Sequence, residues 1–389
     1  MCIRDSYYNM HHIISDGWSM EVVAKDVSHY FEAYQSGVNP EIKPLQIQYK
    51  DYAQWQLDRL DTKELKSQRA YWLDLLKGTL PVLDLPFAKK RPQLKTFNGR
   101  TLGTHLSPEL TRKMKHYAQE QNGTTFITLL SALNALFRLY TSNDEFVVGA
   151  PVAGRSHSEL EDQIGFYVNT LILKNSVVKN DSFEAIFQRV KENVLLAYEN
   201  QDYPFDKLVD ELELKRNTSR SAVFDVMLVM QNIGENRSFD IGEEENGIVD
   251  YGQKTGKFDL LLSFEENADS MAFFLEYNSD IFDQNFMESF IRHYKCLLEL
   301  MLENPNEKLE KLNYLSEFET AQVISDFNTV ENEFQSLSVV EMVENQANKT
   351  PEALALYFRD KSWTYEEINS WSNEIANELI TKYNIKSGG

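Results

Sequence analysis

The chain is 389 residues long, 42% hydrophobic and 25% charged, enough for two or three domains with real cores. Its formal net charge of −21, from 39 Lys and Arg against 60 Asp and Glu, argues against nucleic acid or an anionic membrane as a partner, since both would repel it. Two cysteines, Cys2 and Cys296, offer neither a disulfide framework nor metal spacing, and no apolar run is long enough to span a bilayer.

The opening residues, MCIRDSYYNMHH, lack the apolar core of a signal peptide, so a cytoplasmic location is expected. Residues 1–6 do not read as an apolar strand, which points to a truncated or misjoined start, and residues 7–10 look like the end of a strand. Ser15 or Asp16 can N-cap a helix over about 18–36, with Met20, Val23, Val27, Phe31 and Tyr34 on one face and Gly37 as its stop. A second helical region is expected over 49–76. Residues 81–99, with three prolines and a basic KKR, read as a crossover between lobes.

Ser107, Pro108 and Glu109 form a helix start, and Thr124 or Thr125 opens an apolar helix through Phe126, Leu129, Leu130, Leu133 and Phe137. Strands are expected at 145–152, 164–173, 224–231, 258–264 and 272–277, and helices at 182–200 and 283–302. Strands and helices interleave without a short repeat, which indicates an α/β, or α+β layered, fold. Polar residues from 304 to about 334 read as a partly helical linker. Beyond it a helix begins near Val339, residues 354–358 and 362–364 form a small hairpin, and 365–383 another amphipathic helix.

The chemistry concentrates in MHHIISDGWS, residues 10–19. Two adjacent imidazoles stand where a strand-like stretch stops and a helix begins, a placement that can present a base at the mouth of a cleft. A neutral imidazole titrates near ~6.5, which suits general base work. Asp16 can orient a ring or bond an Arg, and Gly17 permits close backbone approach or unusual dihedrals. In the bland reading Asp16 merely caps the helix, one His is satisfied in the core and Gly17 is a turn. The motif alone leaves both open. No metal site is expected, because the seven histidines lack the spaced carboxylates of zinc helices, and there is no glycine-rich phosphate loop.

The run resembles the active-site motif of the condensation domains of nonribosomal peptide synthetases. So do its companions, in order: YKDYAQW (49–55), GAPVAGR (149–155), IGFYVNT (164–170), QDYPFD (201–206), RNTSRSAVFDVMLVMQN (216–232) and KFDLLLSFEE (257–266). Read without the resemblance, Pro204 is a first helical residue, the aromatics of YKDYAQW are core, and Phe166, Val168 and Leu171 are ordinary strand residues.

The resemblance implies two chloramphenicol-acetyltransferase-like lobes meeting in a V. The first is expected to be incomplete, since two motifs that precede the His pair in the family are not in this chain. The candidate catalytic set is His11, His12, Asp16 and Gly17. Within it His12 inherits the catalytic role, and Asp16 a structural one with Arg155 as its salt-bridge candidate. Trp18, Ser19 and Asn169 are tunnel-lining candidates. The implied reaction joins a carrier-bound acyl or peptidyl thioester to a carrier-bound aminoacyl acceptor, forming an amide. Both substrates arrive on phosphopantetheine arms, and the condensation domain itself binds no cofactor. General base and amine positioning are both open roles for His12.

The Gly-Trp-Ser ending of the His motif favours amide formation over epimerization, and with IGFYVNTLILK it points to an L-configured donor. Ser221 and Ala222 stand where the family usually has Asn-Pro, so no role is carried onto them. WTYEEI (363–368) resembles the opening motif of an adenylation domain, whose ATP and Mg sites lie further on. The expected domains are 1–85, the remainder of the first lobe; 86–310, the second lobe; 311–335, a linker; and 336–389, the start of an adenylation domain. Upstream and downstream peptidyl carrier domains and the adjacent adenylation domain are the expected partners. A non-catalytic carrier-docking or gating module, and an acyltransferase acting on a free acceptor, are the alternatives. Poor solubility in isolation is expected where a shared sheet loses strands.

Overall fold

The structure, a computed structural model, describes residues 8–41, 43–86, 88–212, 217–231, 247–266, 270–325 and 337–385. The questions raised about residues 1–6, and part of the linker, lie outside them. The chain divides into two compact units, Met1–Leu315 and Ser316–Gly389.

Among its described residues the first unit opens on the helices α1 (Gly17–Ser36), α2 (Tyr49–Arg59) and α3 (Lys63–Leu75). There follow β1 (Gly99–Leu106), α4 (Pro108–Glu120), α5 (Thr125–Thr141), β2 (Glu145–Val152), β3 (Asn169–Ser176), α6 (Phe183–Glu199) and α7 (Phe205–Glu211). The unit closes with β4 (Val226–Gln231), β5 (Val249–Asp250), β6 (Leu260–Glu266), β7 (Met271–Asn278) and α8 (Gln284–Glu303). Among the described residues these seven strands make one mixed sheet in the order β3-β2-β4-β6-β7-β1-β5. β4 lies parallel between β2 and β6, and the other neighbours are antiparallel.

Helix α5 is the hub of the core. It is apolar all round, TFITLLSALNALFRLYT, and every residue from Ile127 to Phe137 is buried, as a helix without a solvent face requires. Thr124 caps it through a side-chain bond to the Ile127 N–H. It contacts both α6 and α8, which pack in turn on β3 and on β1 and β7.

Several expectations shift here. Residues 8–10 form no strand, and a 3-10 turn follows at His12–Ile14. The helical region over 49–76 is two helices, broken where Leu60 ends one and Thr62 caps the next. Strand β1 was not foreseen: GRTLGTHL is buried at six of its eight positions, yet only Leu102 and Leu106 are large apolar residues, so it shows neither an apolar run nor an alternation. Pro204 is the residue before α7 rather than its first residue. The strand expected from 164 begins only at Asn169.

The second unit holds α9 (Glu317–Ile324), α10 (Val339–Lys349), an antiparallel hairpin of β8 (Leu354–Phe358) and β9 (Lys361–Thr364), and α11 (Tyr365–Tyr383). Ser338 and Thr364 each cap a helix with a reciprocal Glu three residues on. No helix among the described residues is long and apolar enough to cross a membrane.

Candidate active site

The site is built where the start of α1 docks on the connection between β2 and β3. The antiparallel register ends at Val152 opposite Asn169, so residues 153–168 form one loop at that end of the edge hairpin. The loop brings Arg155 and Tyr167 together, with the guanidinium carbon 4.1 Å from the Tyr167 ring centroid. Gly154 allows this approach. Its φ is +64°, and a Cβ there would lie 1.9 Å from the Tyr167 carbonyl oxygen.

Asp16 is the N-cap of α1, and its carboxylate is fully enclosed: the Asp16 and Arg155 side chains are 0% and 1% exposed. Oδ1 accepts from Ser19 N at 2.8 Å and from Arg155 Nη2 at 3.1 Å. Oδ2 accepts from Tyr167 N at 3.0 Å. The Ser19 hydroxyl is buried between the same partners. It lies 2.6 Å from Asp16 Oδ1 and 2.9 Å from the Gly165 carbonyl, two acceptors for its one proton, and it accepts from Gly165 N at 3.1 Å. Arg155 Nη1 donates to the carbonyls of Leu160 and Gln163.

Burial by itself raises the Asp16 carboxyl, but the Ser19 hydroxyl, the N–H groups of Tyr167 and Ser19 and the Arg155 charge together hold it below the ordinary value. It is a carboxylate whose lone pairs are committed to the fold. Burial pushes the Tyr167 phenol up to about 12, so it stays a neutral donor, bonded to Gln163 Oε1 at 2.6 Å.

Around this knot the two histidines part company. Nδ1 of His11 accepts from Ile13 N at 3.0 Å, so His11 caps the short 3-10 turn. It is not among the cleft-lining residues. Nδ1 of His12 lies 2.6 Å from the Ser15 carbonyl. A carbonyl can only accept, so Nδ1 carries the proton, and whenever the ring is neutral its lone pair is on Nε2. Nε2 has no partner among the described residues. The His12 ring meets Phe166 edge to face, centroids 5.3 Å apart at 70°.

His12 lines a cleft of about 2060 Å³ together with Gly17, Trp18, Arg155, Phe166 and Asn169, and with Met227 and Phe258 from the sheet side. Gly17 takes no left-handed dihedral. A Cβ there would meet nothing within 4 Å, so the absent side chain leaves room in the cleft. Trp18 Nε1 donates to the Glu161 carbonyl at 2.8 Å, fixing the indole at the cleft wall.

Ser19 corrects an expectation: it is enclosed in the Asp16 knot and does not line the cleft. Asn169 does line it, but its amide is spent on structure. Nδ2 donates to the carbonyls of Gln201 and Tyr203 at 2.7 and 2.8 Å, and Oδ1 accepts from Thr170 N and Phe205 N, both at 2.9 Å. Asn169 thereby ties QDYPFD to the start of β3.

Sequence reasoning placed the Tyr49 ring in the core, whereas it is 38% exposed on the cleft, and missed Ser19 as the pin of the loop. The signal for Ser19 was its place three residues after the Asp16 cap, where a hydroxyl can answer the cap's own N–H; that bond is 3.3 Å. Nothing in the spacing marked Tyr49, whose hydroxyl donates to the Phe166 carbonyl at 2.8 Å. No group of His, Cys, Asp and Glu that could hold a metal occurs among the described residues.

A family model described as Condensation domain matches residues 6–324. Bacitracin synthase 1 of Bacillus licheniformis is 36% identical over 376 residues, which cover 96% of this chain and 7% of that protein. Gramicidin S synthase 2 of Brevibacillus brevis is 35% identical over 378 residues, covering 96% and 8%. The chain thus spans a small fraction of the curated relatives it matches. Among solved structures, the X-domain from teicoplanin biosynthesis is similar with a TM-score of 0.68 at 25% identity, over 78% of this chain and 70% of that one. A four-domain nonribosomal peptide synthetase bound to AMP and glycine covers 95% of this chain and 29% of its own, with a TM-score of 0.71 at 20% identity.

Proposed function

This chain belongs to the condensation-domain family of nonribosomal peptide synthetases, and on that footing we propose that it forms an amide bond between two carrier-bound acyl groups. The observation that carries the reading is the state of His12: a ring on the cleft wall, its Nδ1 proton held by Ser15, its Nε2 lone pair uncommitted.

The amine of the acceptor attacks the thioester carbonyl of the donor, forming the C–N bond and a tetrahedral centre with a cationic nitrogen. His12 Nε2 takes the surplus proton from that nitrogen. The C–S bond then breaks as the carbonyl re-forms, and the thiolate leaves with a proton returned from the imidazolium. An α-amine titrates near ~8 and a thiol near ~8.5, so neither the attack nor the departure demands a strong acid or base. His12 need only orient the amine and manage one proton. Asp16, shut away from the cleft, touches no reactant and acts by holding the loop.

The cleft supports two tethered reactants, being larger than the roughly 300–1,000 Å³ of a pocket for one small ligand. In this reading upstream and downstream carrier domains deliver the substrates on phosphopantetheine arms, in the cytoplasm. In the same reading residues 1–85 are the remainder of the first lobe of a V and 86–310 its second lobe. The hairpin and helices of 336–389 open an adenylation domain, with which the 95% coverage by the four-domain synthetase agrees at the level of fold.

The test loads donor and acceptor carriers of the intact protein and seeks the product by mass spectrometry. The proposal expects the dipeptidyl thioester on the acceptor arm. Carriers that bind while both arms stay unreacted would refute it.

A further inference from the structure

Phe166 presents a phenyl ring 41% exposed on the cleft wall, in a loop outside any strand. A large apolar ring left in such a place draws attention to what it touches, which is the His12 imidazole. The backbone carrying it is held on three successive residues. Both the N–H and the carbonyl of Gly165 are in reach of Ser19 Oγ, the Phe166 carbonyl accepts from Tyr49 Oη at 2.8 Å, and Tyr167 N donates to Asp16 Oδ2. At Gly165 a Cβ would lie 2.4 Å from the Tyr49 ring, so the tyrosine lies flush on this backbone.

We infer that Phe166 is a positioning residue for His12. The Ser15 carbonyl selects which nitrogen of the imidazole is protonated, but a single hydrogen bond to Nδ1 leaves the ring free to swing about it. The Phe166 ring blocks that swing from the side, so that Nε2 keeps one direction into the cleft. Asp16, Ser19 and Tyr49 act one step further back, by aiming Phe166. The arrangement gives a physical reason for HHIISDG, YKDYAQW and IGFYVNT to belong together: the first, with Ser19 just beyond it, supplies the base and two pins, the second a third pin, and the third the strut. The inference rests on the catalytic reading of His12 proposed above.

The experiment is a double-mutant cycle on single-turnover amide formation, in the intact protein with both carriers loaded. Phe166→Ala is expected to slow the step about 10-fold or more, and Phe166→Tyr to restore it to within about twofold. In the His12→Ala background, Phe166→Ala is expected to cost nothing further, because a strut has no effect once its load is gone. Thermal melts of each variant exclude loss of folding as the cause. Additive effects of the two substitutions, or a Phe166→Ala variant at full rate beside a slow His12→Ala, overturn the inference and leave the catalytic reading standing. A His12→Ala variant at full rate overturns both.

Discussion

Arg155 and Asp16 meet 3.1 Å apart although 139 residues separate them in the chain, and neither side chain is open to solvent. Arg155 lies just past β2 and Asp16 caps α1, so the pair joins the helix to the β2–β3 loop. A pair so enclosed gains little net stability over an apolar replacement of both partners, but breaking one side leaves the other charge buried alone.

Asp16→Ala is accordingly expected to destabilise the protein by about 3–5 kcal/mol, since it strands the Arg155 guanidinium and removes the cap of α1. Urea unfolding of the variant beside the wild type measures it. A loss under about 1 kcal/mol, the order of an exposed pair, would contradict the account.

The same carboxylate makes stability depend on acid pH. Its folded pKa lies below the ordinary 3.8, so its contribution is complete above that value and is lost as pH falls through the folded one. The wild type is expected to lose more stability than Asp16→Asn on acidification below about pH 4. Urea midpoints against pH for the two proteins check the sign, and parallel curves would disprove it.

Two glycines give opposite predictions. Gly154→Ala places a methyl group on the Tyr167 carbonyl at a left-handed φ, and is expected to cost at least about 2 kcal/mol or to abolish soluble protein. Gly17→Ala adds a methyl group in open space at the start of a helix, and stability is expected to stay within about 0.5 kcal/mol. Thermal melts of both variants decide the matter.

Asn169→Ala leaves two backbone N–H groups and two carbonyls without their side-chain partner, for an expected loss of about 1–3 kcal/mol. Hydrogen exchange should show the first turn of α7 opening sooner. An unchanged exchange rate at Phe205 would mean the amide does not hold that turn.

Much of this is legible in the sequence. Helix α5 announces itself by its Thr124 cap and long apolar run, α8 by its apolar periodicity, and β2 by the short apolar run EFVVGAPV. β1 escaped notice because GRTLGTHL carries only two large apolar residues, Leu102 and Leu106, too few to make the apolar run that marks β2. The 164–168 segment looked like a strand because its composition is apolar and aromatic, yet its polar backbone groups bond the side chains of Asp16, Ser19 and Tyr49 in place of a neighbouring strand. Those contacts reach across more than a hundred residues, and no local pattern encodes them. For the same reason Ser19 looked like a wall residue. Only the fold shows its hydroxyl turned inward beneath Asp16.

The most direct test of the central claim is the rate of amide formation by His12→Ala in the intact protein with both carriers loaded and the thermal melt unchanged. The account predicts a fall of roughly 10²–10⁴-fold, the usual worth of a positioned acid–base group. A variant that makes the dipeptidyl product as fast as the wild type would show that the His12 ring has no part in the chemistry.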